Sequence, residues 1–189
     1  MPERRKVIVH IGTSADGYIA RPDGDLGWLT SRPKPDGFYG MSAFMKSIDT
    51  TVIGRKTYEM SLRLGAKFDS KRRTIVFTRH APPADAPSGV EFEDGAIGRF
   101  VSRLREEPGK DIWLMGGGDL IASFLDEGAI DEFVLTVAPV FIGDGIPLLA
   151  RRHRNVPLDL QSVERFADGV VQLHYRVAEV NRLARPVPA

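Results

Sequence analysis

The sequence predicts an α/β protein with a mixed, mostly parallel central sheet that ends in an antiparallel hairpin. Three observations carry this. Short β-branched apolar runs alternate with stretches of helical period through the first two-thirds of the 189 residues, the pattern of strand–helix–strand units. Two of those runs stop at glycines that open a helical stretch, one at Gly54 and one at Gly116, Gly117 and Gly118. The final third is strand-only: residues 158–166 and 170–177 flank a turn at Ala167, Asp168 and Gly169.

Taken in order, residues 6–14 (KVIVHIGTS) form a first strand, Ser14 to Gly17 a turn, and Tyr18, Ile19 and Ala20 a brief second strand. Residues 21–27 are a polar, glycine-rich loop closed by Trp28 and Leu29. Loop character resumes over 32–37 around Pro33 and Pro35. A loop this long inside a compact domain suits a lid or a binding edge. Residues 38–47 suit an amphipathic helix with Phe38, Met41, Phe44 and Met45 on one side, and residues 50–53 are a strand running into a helix that ends near Leu64. Strands are expected at 73–78 and 90–92 and a helix at 97–106, stopped by Pro108 and Gly109. Ile112 to Met115 is an unbroken apolar run, which reads as a strand buried on both faces. Leu120, Ile121, Phe124 and Leu125 then recur at helical spacing up to a C-terminal Gly128. Residues 131–140 form the strongest strand of the chain. The expected organisation is one domain over 1–180 with a loose tail at 181–189.

Composition narrows the function classes. Hydrophobic residues make up 42%, enough for a sizeable core, and 26 basic against 25 acidic residues leave a net charge of +1. That balance argues against nucleic-acid or membrane-surface binding. The chain has no cysteine, which removes disulfides, thiolate nucleophiles and cysteine metal sites and fits a cytoplasmic protein. The start, MPERRK, has no apolar leader, and no stretch is long enough to span a bilayer. His80 and His153 lie in loops without a second ligand nearby, so no metal site is expected. His10 and His174, both on strands, read as structural or solvated.

Three strand ends share one character. Gly54, Arg55, Lys56 and Thr57 offer two cations and a hydroxyl at a helix start. Thr78 and Arg79 offer a hydroxyl and a guanidinium. Gly116 to Leu120 offer bare backbone N–H groups at the positive end of a helix. Alone, a glycine triplet is somewhat more often a bare tight turn with no ligand, and basic residues after strands are usually just solvated. In a parallel sheet, however, such ends converge on one edge, where ligands bind. The set therefore points to a ligand with several phosphates. Neither a P-loop motif nor a complete G-x-G-x-x-G is present, since Ile121 stands where the last glycine would.

The segments TVIGRKTYE (51–59), IVFTR (75–79) and IWLMGGG (112–118), in that order, resemble the dihydrofolate reductase fold. SADG (14–17) and VAP through GDG (137–145) are more similar to one branch of it, the C-terminal reductase domain of bifunctional riboflavin-biosynthesis deaminase–reductases and their single-domain relatives. The resemblance covers residues 7–177. It implies a three-layer dihydrofolate reductase-like fold, NADPH as cofactor and a homodimer, with the C-terminal strands as the expected contact. It further implies that Gly54, Arg55, Lys56 and Thr57 bind cofactor phosphates. Thr78 and Arg79 would recognise the 2′-phosphate, which favours NADPH over NADH. Gly116, Gly117, Gly118, Asp119, Leu120 and Ile121 would form the pyrophosphate turn, and Thr13 and Asp16 would lie near the nicotinamide and ribose. The implied activity is hydride transfer to a pyrimidine, pterin or related substrate, as in a 5-amino-6-(5-phosphoribosylamino)uracil reductase.

Two expected acids are absent. True dihydrofolate reductases carry one early in the first long helix, yet residues 38–47 hold none and Asp36 lies just before them. Riboflavin reductases carry one immediately before the glycine turn, where this chain has Met115. Asp16, Asp36 and water are the candidate proton donors, and Trp28 either lines the substrate mouth or caps the core. Genuine dihydrofolate reduction and a non-catalytic nucleotide-binding protein on the same fold remain the alternatives.

Overall fold

The computed structural model describes residues 4–33, 37–68 and 72–178. Asp36 and the tail at 181–189 lie outside the described residues. The chain runs β1 (Val7–Ser14), β2 (Tyr18–Ala20), α1 (Gly27–Thr30), α2 (Met41–Ser47), β3 (Ile48–Gly54), α3 (Arg55–Arg63), β4 (Arg73–Phe77), β5 (Val90–Glu93) and α4 (Ile97–Glu106). It continues through β6 (Asp111–Gly116), α5 (Gly118–Asp126), β7 (Glu132–Ala138), β8 (Ile146–Pro147), β9 (Leu158–Arg165) and β10 (Val171–Val177). The central sheet has eight strands in the order β5-β4-β3-β6-β1-β7-β10-β9. From β5 to β7 every neighbouring pair is parallel; β10 and β9 then add an antiparallel hairpin at one edge. This is the expected α/β architecture.

Strand alternation sorts each strand's residues onto two faces. On one, Val7 and Val9 of β1, Ile112 and Leu114 of β6 and Val52 of β3 meet Phe100, Val101 and Leu104 of α4 and Ile121, Phe124 and Leu125 of α5. Burying each of these large side chains contributes about 1.5–3 kcal/mol, which makes this face the main source of stability. On the other face, Tyr58 of α3 packs with Ile53 and Val76. The β6 run is therefore not buried on both faces as its unbroken apolar sequence suggests. Ile112 and Leu114 are fully buried, whereas Trp113 and Met115 are only half-buried.

Two local features depart from expectation. The helix expected from Phe38 begins at Met41, because Phe38, Tyr39 and Gly40 adopt φ of 50°, 53° and 77° and keep the chain out of the helical region. Trp28 and Leu29, rather than only closing a loop, sit on the one-turn helix α1. In addition, Tyr18 to Ala20 pairs with Ile146 and Pro147 in a small second sheet that no local pattern announces. No helix among the described residues is long and apolar enough to cross a membrane.

Candidate active site

The C-terminal halves of β3, β6, β1 and β7 share one sheet edge, and a cavity of about 1040 Å³ opens over them. That is the upper range of small-molecule sites. Two helix starts build one end of it. β3 runs into α3 through Gly54, and β6 runs into α5 through Gly116 and Gly117. Neither helix has a side-chain N-cap, so no side chain satisfies the first-turn N–H groups. Gly54, Lys56, Thr57, Gly117, Gly118, Asp119 and Leu120 all line the cavity, as does Arg55.

The glycines are there for close approach. Gly116 has φ +124°, and the Gly116–Gly117 peptide is cis. A Cβ on Gly118 would fall 2.3 Å from the carbonyl oxygen of Pro147, and one on Gly117 would fall 3.3 Å from Thr57 Oγ1. The two turns are thus packed side by side with β8 against the second. Their charge comes from α3. Arg55 Nε donates to Glu59 Oε1 at 2.6 Å, one turn along the helix. Lys56, Arg63 and Arg151, which line the same cavity, form no ion pair among the described residues. Two helix dipoles and three cations without ion pairs facing one cavity favour a polyanionic ligand.

The third strand end lies beside this one. β3 and β4 are in parallel register with Gly54 opposite Phe77, so Thr78 and Arg79 follow next to Arg55. Thr78 borders a shallow depression shared with Arg55, Tyr58 and Glu59, and its hydroxyl accepts the His80 N–H at 3.1 Å. Arg79 is exposed and stands outside the cavity wall.

Other expected positions fall elsewhere. Thr13 is buried in β1 and Ile121 in the core under α5, where its Cδ1 supports Gly116; neither lines the cavity. Asp16 is also off the wall. Its carboxylate accepts the Ser14 hydroxyl at 2.6 Å and the N–H groups of Gly143 at 2.8 Å and Ile142 at 3.2 Å, which ties the 14–17 turn to the 140–145 loop. The Ser14 hydroxyl first, then these backbone donors, hold its carboxyl below the usual carboxylate range. Trp28 points its indole N–H into a buried spot without a partner, while Leu26 and Leu29 on either side line the cavity in its place.

Residues 5–172 match the family model of the RibD C-terminal domain. The chain belongs to that family. Two proteins from Bacillus subtilis (strain 168) match nearly end to end. The uncharacterized protein YwjB is 37% identical over 171 residues, which is 90% of this chain and 97% of that one. The uncharacterized protein YyaP is 31% identical over 186 residues, 92% and 95%. RibD of Corynebacterium ammoniagenes, a riboflavin biosynthesis protein, is 26% identical across 80% of this chain but only 48% of its own length. A solved protein from Shewanella sp. PV-4, whose name ties it to riboflavin biosynthesis, superposes with a TM-score of 0.82 at 29% identity, covering 92% of this chain and 99% of that one. A deaminase/5-amino-6-(5-phosphoribosylamino)uracil reductase from Thermotoga maritima shares the fold, with a TM-score of 0.71 at 19% identity over 93% of this chain and 57% of its own.

The other end of the cavity lies behind the glycine turns. Trp113 lies three residues back along β6 from Gly116, about 10 Å at strand rise. It joins His10 and Gly12 of β1, Thr136 of β7 and Phe38, Tyr39 and Met41 of the segment leading into α2. Met115 completes that wall with an apolar side chain, and α2 carries no acid. His10, which reads from sequence as structural or solvated, lines this cavity. A lone histidine on a strand gives no local signal. The only hint was its period-2 phase with Gly12, two residues unsuited to a core face. Among the described residues there is no group of three or more His, Asp or Glu side chains fit to hold a metal ion.

Proposed function

We propose that this protein is an NADPH-dependent oxidoreductase of the riboflavin-reductase type, passing hydride to an electrophilic carbon of a pyrimidine, pterin or related small substrate. The observation that carries this reading is one cavity with two uncapped helix starts at one end and an aromatic chamber at the other. Membership of the RibD C-terminal domain family supports it.

The residues present fit the cofactor. Gly54 to Thr57 and Gly117 to Leu120 would hold the diphosphate on backbone N–H groups, with Lys56 supplying charge. Thr78 and Arg79, past Arg55 on the next strand, would meet the 2′-phosphate. When bound, NADPH supplies the hydride. The chain's own work is orientation and exclusion of water. Leu26, Leu29 and Ile146 give the cavity apolar walls. Asp16, ionised and fully engaged by its hydrogen bonds, fixes the 140–145 loop rather than donating a proton.

Ligand-induced stabilisation tests this directly. NADPH should raise the melting temperature by mass action, and NADH should do so much less. The absence of any shift at millimolar NADPH would overturn the reading.

A further inference from the structure

The aromatic chamber contains a polar group that the protein leaves unsatisfied. His10 is 4% exposed, and its Nδ1 has no hydrogen-bond partner. Its Nε2 lies 3.5 Å from Gln172 Nε2. That amide nitrogen already donates to Tyr39 O at 2.8 Å and to Thr136 Oγ1 at 3.0 Å. An amide has two N–H groups, so both are used and none is left for His10. The Thr136 hydroxyl, which accepts from Gln172, donates to no group among the described residues. Buried polar atoms are nearly always paired, so the unpaired His10 Nδ1, with an unused hydroxyl hydrogen on Thr136 of the adjacent strand in the same cavity wall, is an exception that asks for a ligand.

The surroundings restrict what that ligand is. Trp113, Phe38 and Tyr39 put flat rings on the wall, and Phe44 packs edge-on against His10 at 4.6 Å and Trp113 at 5.8 Å and props both rings. The wall formed by His10, Gly12, Trp113, Met115 and Thr136 carries no carboxylate and no cation. Burial first, and His174 on β10 second, push the His10 imidazole down to about 4. At neutral pH the ring is therefore uncharged and offers one N–H donor and one acceptor nitrogen.

We propose that His10, with the Thr136 hydroxyl beside it, is the hydrogen-bonding edge that receives the substrate's ring, an uncharged planar nitrogen heterocycle with amide-like donors and acceptors. This rests on the reductase reading and names the groups that recognise the substrate in that same site. With Met115 apolar in the wall before the glycine turn, ring recognition falls to a neutral donor–acceptor pair from β1 and β7 rather than to a carboxylate.

The test is calorimetric titration of 5,6-diaminouracil, a small neutral pyrimidine, into the NADPH-saturated protein, with NADPH affinity measured for each variant. Wild type should bind the pyrimidine. His10→Phe keeps the flat ring and loses both nitrogens, and it should bind about tenfold more weakly, the scale of one lost hydrogen bond. His10→Gln restores a donor and an acceptor and should recover part of the loss. Thr136→Val, nearly isosteric, should also weaken binding, and it tests the same edge should His10→Phe fail to fold. NADPH affinity should stay within about twofold throughout, since these residues lie behind the phosphate end. Equal pyrimidine affinity in wild type, His10→Phe and Thr136→Val would overturn the proposal. So would a wild type that holds NADPH and takes up no pyrimidine. A wild type that binds no NADPH would instead overturn the reductase reading, and the proposal with it.

Discussion

The two faces of the central sheet are built from the same strands and do opposite work. On the face under α4 and α5, Val7, Val9, Ile112 and Leu114 are fully buried among aliphatic and aromatic neighbours. On the other face, His10 and Gly12 of β1 and Trp113 and Met115 of β6 line the cavity. Strand pleating makes this possible: a period of two lets one strand serve a core and a site at once. The difference shows where stability is made and where it is given up. The closed face maximises apolar contact. The open face keeps an imidazole whose Nδ1 has no partner and glycines that a packed core would not select.

The first way to break the comparison is to damage the closed face alone. Leu114 is fully buried in the main core, so Leu114→Ala should cost about 2–5 kcal/mol, read by urea denaturation. NADPH affinity of the fraction still folded should change little. A comparable fall in that affinity would show that the two faces are not separable.

The second probe is proton linkage on the open face. His10 is held near 4 in the folded chain against an ordinary 6.5, mainly by its burial. The unfolded chain therefore binds a proton more readily, and acid favours unfolding. The sign follows: this contribution is complete above about pH 6.5 and is lost as pH falls toward 4. Its size is up to about 3 kcal/mol at one pH unit per 1.4 kcal/mol. Carboxylates with lowered values, such as Asp16 and Asp126, act only below this window. His174 on β10, which acts on His10, and its hydrogen-bond partner Glu132 on β7 are unchanged in the variant. Between pH 6.5 and 4.5, wild type should lose stability and His10→Phe should lose markedly less. Parallel curves would refute a buried neutral imidazole.

The sequence disclosed these two faces unequally, for physical reasons. The closed face and most element boundaries were legible because they depend on local period: residues 97–106, for instance, form α4 as read. The two strand-to-helix junctions were legible because each is contiguous, a strand followed by glycine and a helix start at Gly54 and again at Gly116 to Gly118. The aromatic end was not. His10 becomes a site residue only through Phe44, Thr136 and Gln172, up to 162 positions away. The β2–β8 pair, which roofs Gly118 with Pro147, depends on a contact of the same non-local kind. Asp16 misled for the opposite reason. It is local and conspicuous in a turn, but its partners Ile142 and Gly143 lie 126 and 127 residues on.

That roof supplies a third probe, smaller in stability and sharper in function. A Cβ at Gly118 would meet Pro147 O at 2.3 Å, so Gly118→Ala must push β8 away or tilt the start of α5. Overpacking of this kind costs about 1–3 kcal/mol. The displaced N–H groups are those proposed to hold the diphosphate, so NADPH affinity should fall by more than the stability loss explains. Gly128→Ala is the control. That residue sits at the C-terminal end of the same helix, at φ +63° with open space around its Cα, so its substitution should cost stability and leave NADPH binding alone. Equal effects of the two substitutions on NADPH would remove the α5 N-terminus from the site.

The smallest expected effect tests how far the open face extends along the sheet edge. Arg79 is exposed, one residue beyond Thr78, and forms no ion pair among the described residues. An exposed guanidinium contributes little to folding, so Arg79→Ala should leave the melting temperature of the free protein unchanged. A charge-assisted contact to a phosphate contributes more, about 1.5–3 kcal/mol. The variant should therefore bind NADPH roughly tenfold or more weakly, with NADH affinity unaltered. The ratio of the two affinities is the decisive quantity. A general loss of positive potential would weaken both cofactors, whereas a 2′-phosphate contact weakens only one. An unchanged ratio would confine the cofactor site to the α3 and α5 starts and leave Arg79 a solvated side chain at the end of β4.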